Sequence, residues 1–393
     1  MTKSSTHPPQ PNDEVPMSGA KILVLSNRLP VDYVAGENDD IEWEISPGGL
    51  VSALSPVMAE NHGTWIGWPG QPDLTLEPFS SRGISLVPVP LSQAEYEDYY
   101  EGFSNDTIWP LYHDVIHPPS YHREWWHSYQ QVNRRFAQKA ADLADADTLV
   151  WVQDYQLQLV PQYLRELRPE LNIGYFHHIP FPSYGLYSQL PWRKQILRGL
   201  LGADLIGFQR PADAGNFLIS AERLLGVEVS QLDSAIGMDF VESATIIDVQ
   251  SGRKNVVRSM PISIASERFN TLAAEPRVKA RVAEIRSNLG NPKKVILGVD
   301  RLDYTKGIRH RIKAYGELLA EGKVIVGDVA MVQVATPSRE NLESYRDLRD
   351  EIELTIGRMN GEFGTLEHAP LTYLHHSYPL EEMVALYLAA DVL

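Results

Sequence analysis

Short apolar runs alternate with amphipathic helical patterns along almost the whole chain. The runs lie at 21–25, 148–152, 172–176, 204–208, 294–298 and 329–334, and each is followed by polar or glycine-containing loop residues. Short apolar segments separated by helical segments are typical of βαβ units, whose strands form a mainly parallel sheet covered by helices. The pattern therefore predicts an α/β fold.

The length of the chain predicts two domains. It has 393 residues, which is more than a single hydrophobic core ordinarily supports. The strand–helix pattern restarts after the segment PISI near residue 264. We predict a disordered, proline-containing leader at 1–20, a doubly wound Rossmann-like domain at 21–265 and a second one at 266–393.

The composition excludes several classes of protein. A net charge of −16 disfavours broad nucleic-acid binding, which needs a basic surface. The chain has no cysteine and therefore no disulfides. The leader has no apolar core of the kind a signal peptide needs, and no run approaches the ~18 apolar residues of a membrane span. These features predict a soluble, cytoplasmic protein.

The segment VDRLDYTKG at 299–307 directly follows an apolar run and carries Arg301 and Lys306. Open α/β sheets bind ligands at the carboxyl ends of their strands, and two cations before a helix can hold a diphosphate. An ordinary charged surface loop explains the segment equally well when it is taken alone. Arg28 in SNRLP and Arg339 in ATPSR also follow predicted strands. We therefore expect the four cations to line one interdomain cleft.

Other polar residues follow predicted strands or open a predicted helix. Gly48 and Gly49 open a helix that could present amides to a ligand, although a tight turn uses glycines as often. Asp154 could accept bonds from sugar hydroxyls or cap the next helix. For His177 and His178, packing in the core is the commoner role. The patterns GxGxxG and GxxxxGK[ST] are missing, which argues against a Rossmann dehydrogenase and a P-loop kinase.

Aromatic residues cluster at Tyr99, Tyr100 and in the segment 102–113, which includes Trp109. We interpret the segment as a polar loop whose rings could stack on a sugar, although core packing is the commoner use. Asp145 and Asp147 have DxD spacing, but their place between a helix and a strand favours a solvated turn. Histidines are scattered between 113 and 127 without a ligand pattern. We predict no metal and no cofactor.

Ten motifs in order resemble the trehalose-6-phosphate synthases, a family of retaining glycosyltransferases. They are SNRLP, SPGGLVSAL, WIGWPG, YYEGFSN, WPLYH, WVQDYQLQLVP, HIPFP, LPWRKQILRGLLGADLIGFQ, GVDRLDYTKG and ATPSR. The resemblance covers about residues 20–393. The Gln before Asp154, where many relatives have His, resembles the actinobacterial branch.

The resemblance implies a GT-B fold, with two Rossmann-like domains and a metal-independent site between them. It implies transfer of glucose from a nucleotide diphosphate glucose, usually UDP-glucose, to glucose 6-phosphate, giving α,α-trehalose 6-phosphate. Around the acceptor it implies Arg28, Tyr100, Trp109, Asp154 and Arg339. Around the donor it implies Gly48, Gly49, His178, Arg301, Lys306 and, near the base, Tyr378. The residues that it assigns to catalysis are Asp154, His178, Arg301 and Lys306.

The resemblance also leaves alternatives. Family members continue beyond the residues that match Leu393 with a donor-binding segment, so we expect an incomplete second domain with poor donor affinity. A glucosylglycerol-phosphate synthase and a non-catalytic sugar-phosphate-binding protein are the two rival functions. Homo-oligomerisation is a further open expectation, whereas nucleic-acid and membrane partners are not expected.

Overall fold

The computed structural model describes residues 22–35, 41–46, 49–115, 118–231, 243–248, 252–340 and 342–393. The chain divides into two compact units, Met1–Ser263 and Ile264–Leu393. The predicted leader and Gly48 lie outside the described residues. The two domains predicted at 21–265 and 266–393 correspond, by the family resemblance, to an acceptor domain and a nucleotide-sugar domain, and this assignment stays a prediction.

The first unit is built on a large sheet. Its strands are β1 Ile22–Arg28, β2 Val31–Ala35, β3 Ile41–Ile45, β4 Thr64–Trp68, β5 Phe79–Ser81, β6 Ile84–Pro88, β7 Leu149–Gln153, β8 Asn172–His177, β9 Leu205–Phe208, β10 Glu228–Gln231, β11 Ser243–Ile247 and β12 Lys254–Ser259. Within the described residues the order across the sheet is β10-β11-β12-β9-β8-β7-β1-β4-β6-β5, and β2 and β3 pair separately. The neighbours from β12 to β6 are parallel. Parallel strands covered on both faces read as continuous apolar runs, as β1 and β4 do.

Helices of the first unit follow the strands as the sequence pattern predicts. They are α1 Gly49–Glu60, α2 Gln93–Glu95, a π-helical segment Tyr96–Ile108, α3 Trp109–Tyr112, α4 Arg123–Leu143, a 3-10 turn Tyr155–Leu157, α5 Val160–Leu167, α6 Tyr184–Tyr187, α7 Arg193–Leu200 and α8 Pro211–Leu225. Helix α1 packs Leu54 and Met58 against Val24 of β1, Trp65 of β4 and Leu86 of β6. The cover of this sheet comes from helices inserted between successive strands.

The prediction of a polar loop at 102–113 is wrong. The segment is helical from Gln93 to Tyr112, with the wide π-helical turns in its middle. Several of its polar residues are buried: the Ser104 hydroxyl donates to Tyr99 O over 2.7 Å, and Oδ1 of Asn105 accepts from the hydroxyl of Tyr155 over 2.8 Å. Phe103 packs on Tyr129 of α4 with ring centroids 4.4 Å apart. Small polar side chains that are buried and satisfied in this way cannot be told from loop residues in the sequence alone.

The second unit has a smaller sheet. It contains α9 Ser266–Ala274, α10 Pro276–Asn288, β13 Lys294–Arg301, a 3-10 turn Tyr304–Lys306, α11 Ile308–Ala320, β14 Val329–Thr336, α12 Glu343–Phe363, β15 Leu371–Leu374 and α13 Leu380–Ala389. The described strands have the order β13-β14-β15 and are parallel. Val392 adds a parallel bridge to Ile296 on the other side of β13. The predicted α/β class with parallel sheets is confirmed in both units.

The boundary of β13 differs from the prediction. The apolar run ends at Gly298, but β13 continues to Arg301, because each of its residues up to Arg301 pairs with β14 as far as Thr336. Only 302–307 form the turn. We call this segment together with Arg301 the donor turn, because donor binding is predicted there. In the described part of the chain, no helix is both long and apolar enough to cross a membrane.

Candidate active site

Four parallel neighbours, in the order β8-β7-β1-β4, end at one edge of the first sheet. Arg28 is the last residue of β1 and Trp68 the last of β4, while Asp154 and His178 directly follow β7 and β8. Because the strands are parallel, their carboxyl ends meet at the same edge, where such sheets bind ligands. The structure thus brings together Arg28, Asp154 and His178, three of the predicted site residues.

Asp154 has an unusual backbone. Its φ of 68° and ψ of 176° fall in a region that is essentially reserved for glycine. The surrounding bonds hold it there, since its amide donates to Phe176 O over 2.8 Å and its carbonyl accepts from Leu157 N over 3.1 Å. The strained conformation aims a carboxylate at the ligand-binding edge of the sheet. Strain of this kind is concentrated at functional sites.

The carboxylate of Asp154 accepts a bond from the amide of His178 over 3.1 Å. Burial raises the pKa of Asp154, and the nearby His178 and backbone amides oppose that shift. A carboxyl group with a raised pKa and hydrogen-bond acceptor oxygens is suited to a polar ligand such as a sugar hydroxyl.

His178 is oriented by Gln153, a residue whose contact sequence reasoning missed. Nε2 of His178 lies 2.8 Å from Oε1 of Gln153, whose side chain is buried. Burial lowers the pKa of His178, and the nearby Asp154 carboxylate partly offsets this by raising it. The neutral ring therefore donates its Nε2 proton to Gln153 and keeps Nδ1 as an acceptor. The Gln before Asp154 in the motif was the available signal.

Histidine 177, in contrast, is a core residue. It is fully buried, and its Nδ1 lies 2.9 Å from the hydroxyl of Tyr175. Burial, reinforced by the nearby His178, lowers the pKa of His177 to about 3. Its packing against Tyr112, Phe181 and Phe208 explains why a protonated ring is disfavoured.

Because His177 is buried as a neutral ring, we expect the free energy of unfolding to fall in mild acid. The unfolded chain takes up the proton near pH 6.5, whereas the folded chain does so only near pH 3. Stability therefore falls as the pH drops below 6.5, by about 2 kcal/mol between pH 7 and 5. Urea unfolding of the wild type and of His177→Asn at both pH values measures this. An equally steep loss in the variant would contradict the assignment.

Arg28 is held beside an aromatic cluster. Its guanidinium lies 5.2 Å from the ring centroid of Trp68 and pairs with Asp32 over 2.6 Å. About 40% of the Arg28 side chain remains exposed, so a ligand can reach it. Gly70 (φ 98°) makes the room, because a Cβ there would lie 2.1 Å from Nη2 of Arg28. A larger residue at position 70 would displace the guanidinium.

Tyr100 joins the same cluster from the π-helical segment. Its ring lies 5.9 Å from Trp68 and 5.6 Å from Tyr96. Arg28 and Tyr100 therefore flank Trp68, as two predicted acceptor residues on one surface. Trp68, which sequence reasoning quoted only within WIGWPG, connects them. π-Helical turns are rare in proteins, and those that occur are frequently found at functional sites.

Trp109 is 4% exposed and packs against Tyr155, the residue after Asp154, with centroids 5.6 Å apart. The hydroxyl of Tyr155 donates to Asn105 over 2.8 Å, and its carbonyl accepts from Tyr129 over 2.7 Å. Trp109 thus supports the turn that carries Asp154.

The donor turn carries the two predicted donor cations, Arg301 and Lys306. Arg301 ends β13 and is exposed, as is Lys306, the last residue of the 3-10 turn. Gly307 follows with a φ of 64° and is the N-cap residue of α11. Arg339 is only 6% exposed and pairs with the buried carboxylate of Asp303 over 2.9 Å. Because Arg28 and Arg339 belong to different units, their convergence on one ligand stays a prediction.

Two further predicted donor residues lie at element ends. Gly49 is the exposed first residue of α1, and a Cβ added to it would meet open space. Tyr378 lies between β15 and α13, with its ring 4.3 Å from His376 and packed on an apolar cluster. Among the described residues, no group of three His, Cys, Asp or Glu side chains could hold a metal ion.

Because the backbone of Asp154 is strained, we expect the glycine variant at this position to be more stable than the alanine variant. Asp154→Gly and Asp154→Ala both remove the carboxylate, but only glycine relieves strain of about 1–3 kcal/mol. Glycine also costs roughly 0.5–1 kcal/mol of chain entropy, so Asp154→Gly should be the more stable variant by about 1 kcal/mol.

Denaturant unfolding of both variants measures the difference. Asp147 lies in an exposed turn and is not among the residues with positive φ, so it provides the matched control. At that position alanine should be the more stable of the pair. The same order at both positions would contradict the assignment of strain to Asp154.

Comparison with known proteins identifies the family of the chain. Residues 20–393 match glycosyltransferase family 20. A trehalose-6-phosphate synthase of Mycolicibacterium gilvum (strain PYR-GCK) is 52% identical over 385 residues, which cover 96% of this chain and 75% of that protein. The trehalose-6-phosphate synthase of Mycobacterium tuberculosis (strain ATCC 25618 / H37Rv) is 48% identical over 389 residues, covering 97% and 77%.

Solved structures agree with the sequence relatives. An α,α-trehalose-phosphate synthase (UDP-forming) from Burkholderia xenovorans in complex with glucose-6-phosphate matches with a TM-score of 0.81, 28% identity and coverage of 95% of this chain and 78% of that one. A structure from E. coli bound with UDP-2-fluoro glucose matches with a TM-score of 0.80, 29% identity and coverage of 94% and 76%. These comparisons confirm the resemblance to the trehalose-6-phosphate synthases and the GT-B fold class that it implies. The chain belongs to glycosyltransferase family 20.

Proposed function

We propose that the protein transfers glucose from UDP-glucose to C1 of glucose 6-phosphate with retention, forming α,α-trehalose 6-phosphate. The observation that carries the proposal is the ligand-facing edge of the first unit, where Arg28, Trp68, Tyr100, Asp154 and His178 meet. It combines a partly exposed cation, aromatic rings and a carboxylate, which is the chemistry that recognises a sugar phosphate.

The acceptor side follows from these contacts. Arg28 would bind the 6-phosphate together with Arg339, and Tyr100 would pack beside it. Asp154 would accept bonds from sugar hydroxyls, with Trp109 behind its turn. We reject a covalent role for Asp154, since a front-face reaction needs no carboxylate nucleophile. The leaving diphosphate would itself take the proton of the acceptor hydroxyl.

The donor side rests on charge. As the glycosidic bond breaks, negative charge grows on the leaving diphosphate. Arg301 and Lys306 would stabilise that charge more strongly in the transition state than in the ground state. His178 would contact the transferred glucose. Gly48 and Gly49 would contact the donor, for which the open space at Gly49 leaves room. Tyr378 would lie near the base.

A product assay with two acceptors tests the proposal. UDP-glucose is supplied with either glucose 6-phosphate or glycerol 3-phosphate, and UDP release and the sugar product are followed. We expect transfer to glucose 6-phosphate alone, with a product that yields trehalose after phosphatase treatment. Transfer to glycerol 3-phosphate would favour a glucosylglycerol-phosphate synthase. Binding of glucose 6-phosphate without any transfer would favour a sugar-phosphate-binding protein.

We also propose that the reaction takes place in the cytoplasm. Both substrates are charged phosphate esters, which do not cross a lipid bilayer unaided, so the enzyme is expected where they are made. Fractionation of the producing cells, with product formation assayed in each fraction, tests this placement.

A further inference from the structure

We propose that Asp303 is a positioning residue that holds the donor turn and Arg339 in one arrangement. The inference rests on the proposed function and deepens it, because that function assigns the donor diphosphate to the turn and the acceptor phosphate to Arg339. Asp303 itself is fully buried and touches neither substrate in this scheme. It acts through the groups to which its two carboxylate oxygens are bonded.

One oxygen serves the donor turn. Oδ1 of Asp303 accepts from the amide of Thr305 over 2.9 Å and from its hydroxyl over 2.8 Å. The backbone carbonyl of Asp303 accepts from the amide of Lys306 over 3.0 Å. These bonds close the 3-10 turn and fix the path of the chain at Lys306. The direction in which Lys306 leaves the backbone therefore depends on Asp303.

The other oxygen serves Arg339. Oδ2 of Asp303 accepts from Nη1 of Arg339 over 2.9 Å and from the hydroxyl of Tyr345 over 3.0 Å. The same Nη1 also contacts the Tyr345 hydroxyl, and the guanidinium lies 5.4 Å from the Tyr345 ring. Arg339 has a φ of 50°, so its backbone is not in a relaxed conformation. The side-chain contacts hold the guanidinium despite that.

The charge state supports this role. Burial on its own would raise the pKa of Asp303, but Arg339 and the bonds from Thr305 outweigh it and leave the pKa below its usual value. The carboxylate is therefore ionised at neutral pH and accepts charge-assisted bonds on both oxygens. Because each oxygen has its own set of partners, the loss of one bond on one side leaves the bonds on the other side in place.

Single-contact variants separate a positioning role from a merely structural one. Thr305→Val removes a bond only on the donor side, and we expect it to raise KM for UDP-glucose roughly tenfold with little change for glucose 6-phosphate. Tyr345→Phe removes a bond only on the side of Arg339 and should raise KM for glucose 6-phosphate roughly tenfold with little change for UDP-glucose. Asp303→Asn should raise both values at least tenfold.

The matched control is Asp328→Asn. Asp328 is partly exposed, lies in the same unit and pairs with Lys293 over 2.9 Å at the surface. This variant should keep both KM values. Thermal midpoints are measured for all four variants, and titration calorimetry with UDP and with glucose 6-phosphate gives the same comparison as dissociation constants.

Two results would overturn the inference: Thr305→Val and Tyr345→Phe affecting both substrates equally, or neither variant affecting its expected substrate. If Asp303→Asn fails to fold, the two single-contact variants still decide. A wild-type protein without transfer activity would contradict the proposed function instead, and the calorimetric split would then test Asp303 separately.

Discussion

Replacing Arg301 or Lys306 by alanine should lower kcat/KM for UDP-glucose by roughly tenfold to a hundredfold in each case. Each change removes a hydrogen-bonding cation from an ionised diphosphate, an interaction worth about 1.5–3 kcal/mol. Arg301 ends β13 and Lys306 ends the 3-10 turn that follows it, at the edge of the sheet where such folds bind ligands. Because the charge grows on the leaving group, part of the loss should appear in kcat. Steady-state kinetics with varied donor measures it.

Lys313→Ala serves as the matched control for the donor cations. Lys313 lies on α11, is largely exposed and forms a 3.9 Å ion pair with Glu317. Its removal should leave kcat and KM for UDP-glucose unchanged within experimental error, since exposed ion pairs of this kind contribute little to stability. Wild-type donor kinetics in both Arg301→Ala and Lys306→Ala would show that the diphosphate is bound elsewhere.

Arg28→Ala should raise KM for glucose 6-phosphate by roughly tenfold to a hundredfold, with a much smaller effect on the donor. The change removes a charge-assisted bond to the acceptor phosphate, worth about 1.5–3 kcal/mol. The fold should tolerate it, because the guanidinium is partly exposed and its partners Trp68 and Asp32 stay in place. Acceptor titration at saturating donor gives the value.

Arg134→Ala is the control for Arg28. Arg134 is an exposed cation on α4 of the same unit, and it likewise lies over an aromatic ring, that of Tyr163 at 4.8 Å. The control removes equal charge and a similar ring contact without touching the proposed site. An unchanged acceptor KM in Arg28→Ala, or an equal rise in Arg134→Ala, would remove Arg28 from the phosphate site.

The fold class could be predicted from the sequence because buried parallel strands leave a local signal. Apolar runs such as 294–298 and 329–334 mark strands by themselves, since both of their faces need apolar side chains. The residues just after those runs could be predicted as ligand-facing by the same argument. Arg28, Asp154 and His178 were found in this way, and the structure does place them at one sheet edge.

The sequence was misleading where polar side chains are buried. The segment 102–113 looked like a loop because Ser104, Asn105 and Thr107 are polar, yet all three are buried and helical. Their partners lie on distant parts of the chain or on the helix itself, and a one-dimensional pattern contains no record of them. The end of β13 was misplaced for a related reason, because pairing with β14 carries the strand past its apolar run.

The sequence alone determined which residue types stand after which strands, and with them the α/β class and the family resemblance. That information is local, because strand burial and motif spacing are written along the chain. Only the tertiary structure decided how those residues are held. It revealed the glycine-like backbone of Asp154, the bond from His178 to Gln153, and the shared carboxylate of Asp303. These features depend on hydrogen-bond partners brought together by folding, often from separate strands and helices, and so no window of sequence contains them.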